Sequence, residues 1–316
     1  MEKRLAVIVP GYNCEKYIRK CLNSLVAQLS ENDQVFFIDD GSTDLTANIV
    51  KDEYQKVRYI YQNNAGVSAA RNHGLDCAIE FKYIMFVDSD DWIEDDCINK
   101  FHLNEVTADY TFCDWIEYKK SSSGLNGVVS EKVCIDKEYD ESVTIYDIRK
   151  HFVRFRSGGS PWGKLFKNSI IQRNNIRFIQ NLPYAEDYLF NLEYLKYAES
   201  VEYIKDGLYA YNCLSEGARV KFRKNRCDLT IQIESYKAQL YDENYSLYAP
   251  LIKAAVVEQV AVVFLNLFDA RFSKSERKQE IKKCKNFLKS RHIGIGEIVL
   301  ANAKIKAKVI CCMILL

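Results

Sequence analysis

The sequence YIMFVDSDDW, residues 83–92, joins an apolar run to three carboxylates. The run YIMFV lacks polar alternation, which is typical of a strand covered on both faces of an α/β sheet. Asp88, Asp90 and Asp91 follow within four residues, and ionised carboxylates this close repel one another. A bound cation or a network of donors would stabilise them, so the stretch predicts a metal and phosphate site at a strand end. The alternative is a polar turn in which Asp90 or Asp91 caps the next helix.

Apolar strands alternate with amphipathic helices along the chain before and after this stretch. The predicted strands are Leu5–Val9, Val35–Ile38, Val57–Tyr61, Tyr83–Val87, Asp109–Tyr118 and Val201–Tyr211. The predicted helices include Glu15–Gln28, Gly66–Glu80, Glu94–Val106 and a helix that residues 183–188 open. This alternation predicts a Rossmann-like α/β fold, a mainly parallel sheet with helices on both faces. Ligands of such sheets bind at the carboxyl ends of the strands. Four polar loops fall on that edge, at residues 10–13, 39–44, 63–71 and 88–92.

The C-terminal part has a helical pattern and a different charge. We therefore predict two domains, residues 1–220 and a helical module of residues 221–316. Residues 271–316 carry 12 Lys/Arg and 3 Asp/Glu, whereas residues 1–270 carry 32 Lys/Arg and 40 Asp/Glu. The tail KIKAKVICCMILL, residues 304–316, places three lysines before an apolar end. Two interpretations stay open: an interfacial helix on anionic lipid, or a segment folded back onto the helical module.

Composition and cysteine usage indicate a folded globular protein in a reducing compartment. The 316 residues are 48% hydrophobic and 28% charged, and the 11 cysteines form no CxxC pair. Because the N-terminal residues run directly into a strand, we expect no signal peptide and a cytoplasmic protein, peripheral on the inner face of the membrane if the tail binds lipid. No uninterrupted apolar run approaches the roughly 20 residues that span a bilayer. No nucleic-acid partner is expected.

Four segments together resemble the family-two inverting glycosyltransferases, which have the GT-A fold and act in bacterial polysaccharide synthesis. The segments are VIVPGYN at residues 7–13, DDGSTD at 39–44, NAGVSAARN at 64–72 and DSDD at 88–91. The resemblance implies a metal-dependent hexosyl- or N-acetylhexosaminyl-transferase. Its donor would be a nucleotide-sugar, expected to be UDP-linked. Its acceptor would be a hydroxyl of a glycan or lipid-linked glycan in cell-surface polysaccharide biosynthesis.

The resemblance also implies residues that bind the nucleotide-sugar and the metal. The implied nucleotide-sugar contacts are Pro10, Tyr12, Asn13, Asp39, Asp40, Asn64, Gly66, Arg71, Asp88 and Ser89. Asp40 resembles the aspartate that accepts a hydrogen bond from the uracil ring, and Asp39 is the adjacent alternative. Asp88 would face the ribose and Asp90 would bind Mn²⁺ or Mg²⁺. Asp91 would assist the metal or cap the helix behind it.

Two requirements of the chemistry agree with these assignments. Breaking the sugar–phosphate bond places charge on the departing diphosphate, which a divalent cation stabilises. The acceptor hydroxyl must also lose a proton to a base. Glu186-Asp187 resembles the family's ED pair, with Asp187 as the base and Glu186 near the acceptor. The alternative is that both carboxylates only stabilise the positive N-terminus of a helix.

Three further residues are candidates for the acceptor side. Trp162 and Lys164 belong to a segment that resembles the loop before the ED pair. Trp162 either stacks on a sugar or is a buried structural residue. Arg219 loosely matches the position of an arginine or histidine that faces the diphosphate in the family.

Two other functions remain as alternatives. A sugar-phosphate nucleotidyltransferase would carry a Gly-rich basic loop after the first strand, which PGYNCE, residues 10–15, lacks. A non-catalytic glycan- or membrane-binding scaffold would not need Asp88, Asp90, Asp187 and Arg71 intact.

Overall fold

A mixed sheet organises the first of the two units into which the chain divides. The computed structural model describes residues 3–101, 103, 108–120, 128–134, 137, 139–154, 158–214, 225–241, 248–267 and 271–293. The first unit comprises Met1–Ile148 and Ser157–Gly217, and the second comprises Arg149–Arg156 and Ala218–Leu316. All the predicted site residues lie in the first unit except Arg219, which is outside the described residues.

Nine strands of the described residues form this sheet. They are β1 (Leu5–Gly11), β2 (Asp33–Asp39), β3 (Val57–Tyr61), β4 (Tyr83–Phe86), β5 (Trp92–Ile93), β6 (Tyr110–Lys120), β7 (Val128–Val133), β8 (Lys164–Lys167) and β9 (Val201–Asn212). Their order is β3-β2-β1-β4-β8-β6-β9-β5, and β7 pairs with β6. The β3-β2-β1-β4 half is parallel, as is β6 with β9, whereas β8, β5 and β7 make antiparallel pairs.

Helices cover both faces of the parallel half. The first seven helices are α1 (Ile18–Val26), α2 (Thr46–Glu53), α3 (Val67–Cys77), α4 (Cys97–Lys100), α5 (Ile145–Arg154), α6 (Asn168–Arg173) and α7 (Glu186–Tyr197), and residues 149–154 of α5 belong to the second unit. Val7 of β1 belongs to one buried cluster with Ile18 and Leu22 of α1. Ile8 points to the opposite face because side chains alternate along a strand. There α3 packs so closely that a Cβ at Gly74 would lie 2.4 Å from Ile8 Cγ2.

The predicted α/β fold class is confirmed, and one predicted helix is shorter. Of the predicted helix from Glu94 to Val106, the described residues form only the four-residue helix α4. Just before that segment, Trp92 and Ile93 pair with Ala210 and Tyr209 of β9, a long-range pairing that the local pattern did not predict. A strict alternation of strands and helices also does not predict the antiparallel pairs that β5, β7 and β8 make.

The second unit is helical where it is described. Its helices are α8 (Arg226–Tyr241), α9 (Ala249–Asn266) and α10 (Lys274–Ser290). Helix α10 begins with a capping box in which Ser273 and Glu276 satisfy each other's backbone N–H groups. Cys227 and Cys284 bring α8 and α10 together, with their Sγ atoms 2.8 Å apart. Among the described helices none is long and apolar enough to cross a membrane, and the tail 304–316 lies outside the described residues.

Candidate active site

The loops that follow β1 and β2 are hydrogen-bonded to each other at the carboxyl edge of the sheet. The Asp40 N–H donates to Gly11 O at 2.8 Å. Asn13 Oδ1 accepts from the Thr43 N–H at 2.8 Å, and the Asn13 N–H donates to Ser42 Oγ at 3.0 Å. Only glycine fits at position 11, because a Cβ there would lie 2.4 Å from Phe37 Cζ. The predicted nucleotide-binding loops therefore share one rigid base.

The Asp40 carboxylate connects this base to the next loop. Its Oδ1 accepts from Gln62 Nε2 and the Ala65 N–H, and its Oδ2 accepts from the Gly66 N–H, all at 2.8 Å. Gly66 has a φ of 89°, a conformation that glycine adopts without strain. Asp40 thus fixes the segment that carries Asn64, and its contact with uracil stays a prediction.

Asp39 is fully buried and holds its own turn. Its Oδ1 accepts from the Ser42 N–H at 2.8 Å, and its Oδ2 accepts from the Tyr59 hydroxyl at 2.5 Å. Burial and this hydrogen bond raise the pKa of Tyr59. Tyr12 differs, because 52% of its surface is exposed at the open edge of the sheet. Pro10 is buried in β1 opposite Ile38.

Within the Asp88–Asp91 loop, Asp91 has a different environment from its neighbours. It is 2% exposed, and its Oδ2 accepts from the Tyr209 hydroxyl at 2.6 Å while its Oδ1 accepts from the Asn212 N–H at 2.8 Å. Burial, together with the negative charge of Asp88, raises the pKa of Asp91 to about 8. The Tyr209 hydroxyl also accepts from the Asp88 N–H at 3.2 Å. Asp88, Ser89 and Asp90 are only partly buried.

Arg71 lies between this loop and the start of α7. Its Nη2 donates to Asp88 Oδ1 at 2.7 Å, and its Nη1 is 3.8 Å from Glu186 Oε1. The guanidinium lies 5.2 Å from the centre of the Phe178 ring. Burial alone would lower the pKa of Arg71, but the charges of Asp88 and Asp187 raise it. In the part of the chain that the structure describes, the buried Arg71 Nε and Nη1 have no hydrogen-bond partner.

Glu186 and Asp187 form the first turn of α7. The preceding Ala185 has a φ of 68°, a left-handed conformation that turns the chain into the helix. Burial raises the pKa of Asp187, and the positive charge of Arg71 opposes that rise. Burial and the charge of Asp187 also raise the pKa of Glu186. The predicted base and the predicted donor-side carboxylate are therefore connected through one guanidinium.

The acceptor candidates have structural contacts of their own. Trp162 is 8% exposed and stacks on Tyr209, with ring centroids 4.4 Å apart and an interplanar angle of 4°. Lys164 is buried, and its Nζ donates to Ser160 O at 2.7 Å and to Trp162 O at 3.2 Å. Burial lowers the pKa of Lys164 to about 8. Their roles toward an acceptor stay predictions.

A family model for glycosyl transferase family 2 matches residues 6–164, just over half of the chain. This chain belongs to glycosyl transferase family 2. The match includes all four loops at the sheet edge, and the family assignment made from the motifs is confirmed.

Two relatives of this family-2 chain are glycosyltransferases by name. Glycosyltransferase GlyA of Streptococcus pneumoniae is 34% identical over 218 residues, which are 67% of this chain and 31% of GlyA. The poly(ribitol-phosphate) beta-N-acetylglucosaminyltransferase TarS of Staphylococcus aureus is 33% identical over 223 residues, 68% of this chain and 36% of TarS. The chain thus spans about a third of these two relatives.

A solved structure supports the fold of this family-2 chain. S. aureus TarS 1–349 in complex with UDP-GlcNAc has a TM-score of 0.72 at 24% identity and covers 96% of this chain and 85% of that one. At this identity the likeness shows the fold alone. The GT-A assignment with C-terminal helices is confirmed.

Sequence reasoning missed the residues that hold the site from a distance. Tyr209 and Asn212 contact Asp91 from β9, and Phe178 lies beneath Arg71. No motif marks them, because each contact joins segments that are about 100 positions apart or more. The alternation of buried residues in β9 was the available signal, and it predicted only a strand.

Replacing Tyr209 by Phe tests the support of the aspartate loop. The change removes the hydroxyl that donates to Asp91 and accepts from the Asp88 N–H, which leaves buried polar groups unpaired. We expect a loss of about 1–3 kcal/mol in the free energy of unfolding, measured by urea denaturation. Tyr197→Phe, at a tyrosine that is 37% exposed on α7, is the matched control and should be neutral. Equal stability of both variants would contradict the structural role of this hydroxyl.

Proposed function

We propose that this chain is an inverting glycosyltransferase that moves a sugar from a UDP-linked donor to a hydroxyl of a glycan or lipid-linked glycan. The observation that carries the proposal is the position of Arg71 between Asp88 and the Glu186-Asp187 pair. A donor-side carboxylate and the partly buried carboxylates at the start of α7 then lie near one cation. That arrangement suits a reaction in which a leaving group departs on one side and a hydroxyl is deprotonated on the other.

The unpaired nitrogen atoms of Arg71 indicate where a donor would bind. A buried N–H without a partner costs roughly 1–3 kcal/mol, so a site that retains two such nitrogens favours a ligand that supplies oxygen atoms. Diphosphate oxygens match a guanidinium in charge and geometry. Arg71 would therefore orient the donor diphosphate while Asp88 holds the guanidinium in place. The exposed Tyr12 ring and Asn64 would line the nucleotide at the open edge of the sheet.

The carboxylates of the aspartate loop fit Mg²⁺ or Mn²⁺ that is shared with a substrate. Among the described residues no three His, Cys, Asp or Glu side chains are arranged to hold a metal by themselves. Both Asp91 oxygens accept hydrogen bonds from β9. The proposed ligands are therefore Asp90 and Asp88, whose Oδ1 also accepts from Arg71. Mg²⁺ sites commonly use one or two carboxylates plus substrate phosphates and water. When bound, the cation would neutralise the charge of the departing diphosphate.

Asp187 is the proposed base. It lies at the start of α7, partly buried, and burial raises the pKa of its carboxyl. A carboxylate with a raised pKa takes a proton from an acceptor hydroxyl more readily than an ordinary aspartate does. Glu186 would remain beside Arg71 and contact the acceptor. Attack from the Asp187 side, opposite the diphosphate, gives inversion at the anomeric carbon.

The relatives favour a cell-wall or capsule polymer as the acceptor class. The names of TarS and of the Bacillus spizizenii poly(ribitol-phosphate) beta-glucosyltransferase describe transfer of N-acetylglucosamine or glucose to poly(ribitol phosphate). We propose a related role at the cytoplasmic face of the membrane, with residues 221–316 as a helical module whose basic tail contacts anionic lipid. Flotation of the full chain with anionic and neutral vesicles would distinguish lipid contact from folding of the tail onto the module.

Release of UDP from UDP-GlcNAc and UDP-glucose tests the proposed reaction. We expect hydrolysis or transfer that requires Mn²⁺ or Mg²⁺, stops with EDTA and is lost in Asp90→Asn. A coupled assay for UDP measures this, with GDP-mannose as the control donor. Absence of UDP release from every UDP-sugar, with and without metal, would contradict the proposal and favour a binding scaffold.

Replacement of Asp187 by Asn tests the base. Transfer should fall on the order of 100- to 10,000-fold, while thermal unfolding stays close to that of the wild type. Asp52→Asn, at an exposed position on α2, is the control. In the wild type, transfer should decline as the pH falls through a pKa above the ordinary aspartate value, because burial raises that pKa and only the carboxylate accepts a proton. Full activity of Asp187→Asn would show that another group is the base.

A further inference from the structure

An aromatic stack ends in one exposed ring next to the aspartate loop. Trp162 stacks on Tyr209 at 4.4 Å and on Tyr211 at 5.4 Å, with interplanar angles of 4° and 21°, and meets Trp115 edge-on at 5.6 Å. Tyr209 is 1% exposed and Trp162 is 8% exposed, whereas Tyr211 is 38% exposed. Tyr211 is therefore the most exposed ring of the stack, whereas Trp115 is only partly buried and Trp162 packs against Tyr211.

A carboxylate lies beside this ring on the same face of the sheet. Tyr211 of β9 pairs in register with Glu117 of β6, just as Tyr209 pairs with Trp115. Side chains at paired positions of neighbouring strands point to the same face. The Glu117 side chain is 26% exposed, and its carboxylate is held by Trp115 Nε1 at 3.4 Å and by Lys119 Nζ at 3.2 Å. The flat ring thus has a fixed hydrogen-bond acceptor beside it.

The strand places this ring close to the proposed chemistry. Two residues that flank Tyr211 in β9 contact the aspartate loop: the Tyr209 hydroxyl donates to Asp91, and Asn212 Nδ2 donates to Asp90 O at 3.0 Å. Tyr211 is two residues from Tyr209, which is about 7 Å along a strand. Burial and nearby negative charges, among them Asp91 and Asp90, raise the pKa of Tyr211 to about 12.

The exposed aromatic ring and the carboxylate beside it favour an uncharged sugar ring as the ligand. A pyranose offers an apolar C–H face to an aromatic ring and hydroxyls at its rim to a carboxylate. Glu117 is ion-paired with Lys119, so the negative charge that disfavours an open-chain polyol phosphate here is that of the aspartate loop. We propose that Tyr211 and Glu117 form a pyranose-binding subsite beside the aspartate loop. The proposal rests on the proposed glycosyltransferase function, and the sugar is either the terminal residue of the acceptor or the sugar of the donor.

Ligand-observed NMR on the full chain tests the subsite. The probes are methyl N-acetyl-β-glucosaminide, methyl β-glucoside and ribitol 5-phosphate, observed by saturation transfer. Tyr211→Ala should weaken binding of the pyranosides roughly 2- to 12-fold, the range for one aromatic contact. Tyr211→Phe keeps the ring and should bind as the wild type does. Glu117→Gln should weaken the pyranosides by a smaller factor, and Tyr197→Ala is the control for loss of an exposed tyrosine.

The outcomes distinguish a donor sugar from an acceptor sugar. They also distinguish the subsite proposal from the glycosyltransferase proposal. Displacement of the pyranoside by UDP-GlcNAc but not by UDP assigns the subsite to the donor sugar, and retention with both assigns it to the acceptor. Equal pyranoside binding in Tyr211→Ala and the wild type, with unchanged thermal unfolding, overturns the subsite. The subsite is also overturned if Tyr211→Ala loses binding of ribitol 5-phosphate alone. UDP release by the wild type is measured separately, so failure of the glycosyltransferase proposal is distinguishable from failure of the subsite.

Discussion

The site depends on the ion pair between the buried guanidinium of Arg71 and the carboxylate of Asp88. A charge removed from water must be paired, and Asp88 supplies the pairing oxygen at 2.7 Å. Asp88 follows β4, Arg71 belongs to α3, and Glu186 opens α7, so one cation connects three elements from distant parts of the chain. The Phe178 ring lies against the guanidinium, with its centroid 5.2 Å from Arg71 Cζ. Loss of this cation would leave a cluster of carboxylates without compensation.

In the aspartate loop, residues 88–91, Asp91 has a structural role, and Asp88 and Asp90 are the proposed metal ligands. Asp91 accepts hydrogen bonds from two groups of β9 and is almost fully buried, which anchors the loop to the antiparallel end of the sheet. Asp88 and Asp90 remain partly exposed on the same short segment. The fixed residue therefore determines where its neighbours point. The same β9 strand carries Tyr211, so one strand both supports the loop and presents a ring beside it.

The sequence predicts well what local pattern determines. Continuous apolar runs identify β1, β2 and β4, and the polar residues after the strands identify the loops that meet at one edge. It predicts less well what distant pairing determines. Trp92 and Ile93 form a strand because β9 lies beside them, and the environment of Asp91 depends on Tyr209 and Asn212. Trp162 shows the same limit, since its stacking with Tyr209 and Tyr211 arises only in the folded sheet.

The central claim is that Arg71 couples the donor carboxylate to the proposed base. Titration of the Asp187 carboxyl carbon by ¹³C NMR tests it most directly, in the wild type, Arg71→Lys and Arg71→Gln. The positive charge of Arg71 lowers the pKa of Asp187 against the effect of burial. The pKa should therefore rise in Arg71→Gln and stay near the wild-type value in Arg71→Lys, with folding of both variants checked by thermal unfolding. An unchanged pKa in folded Arg71→Gln would contradict the coupling.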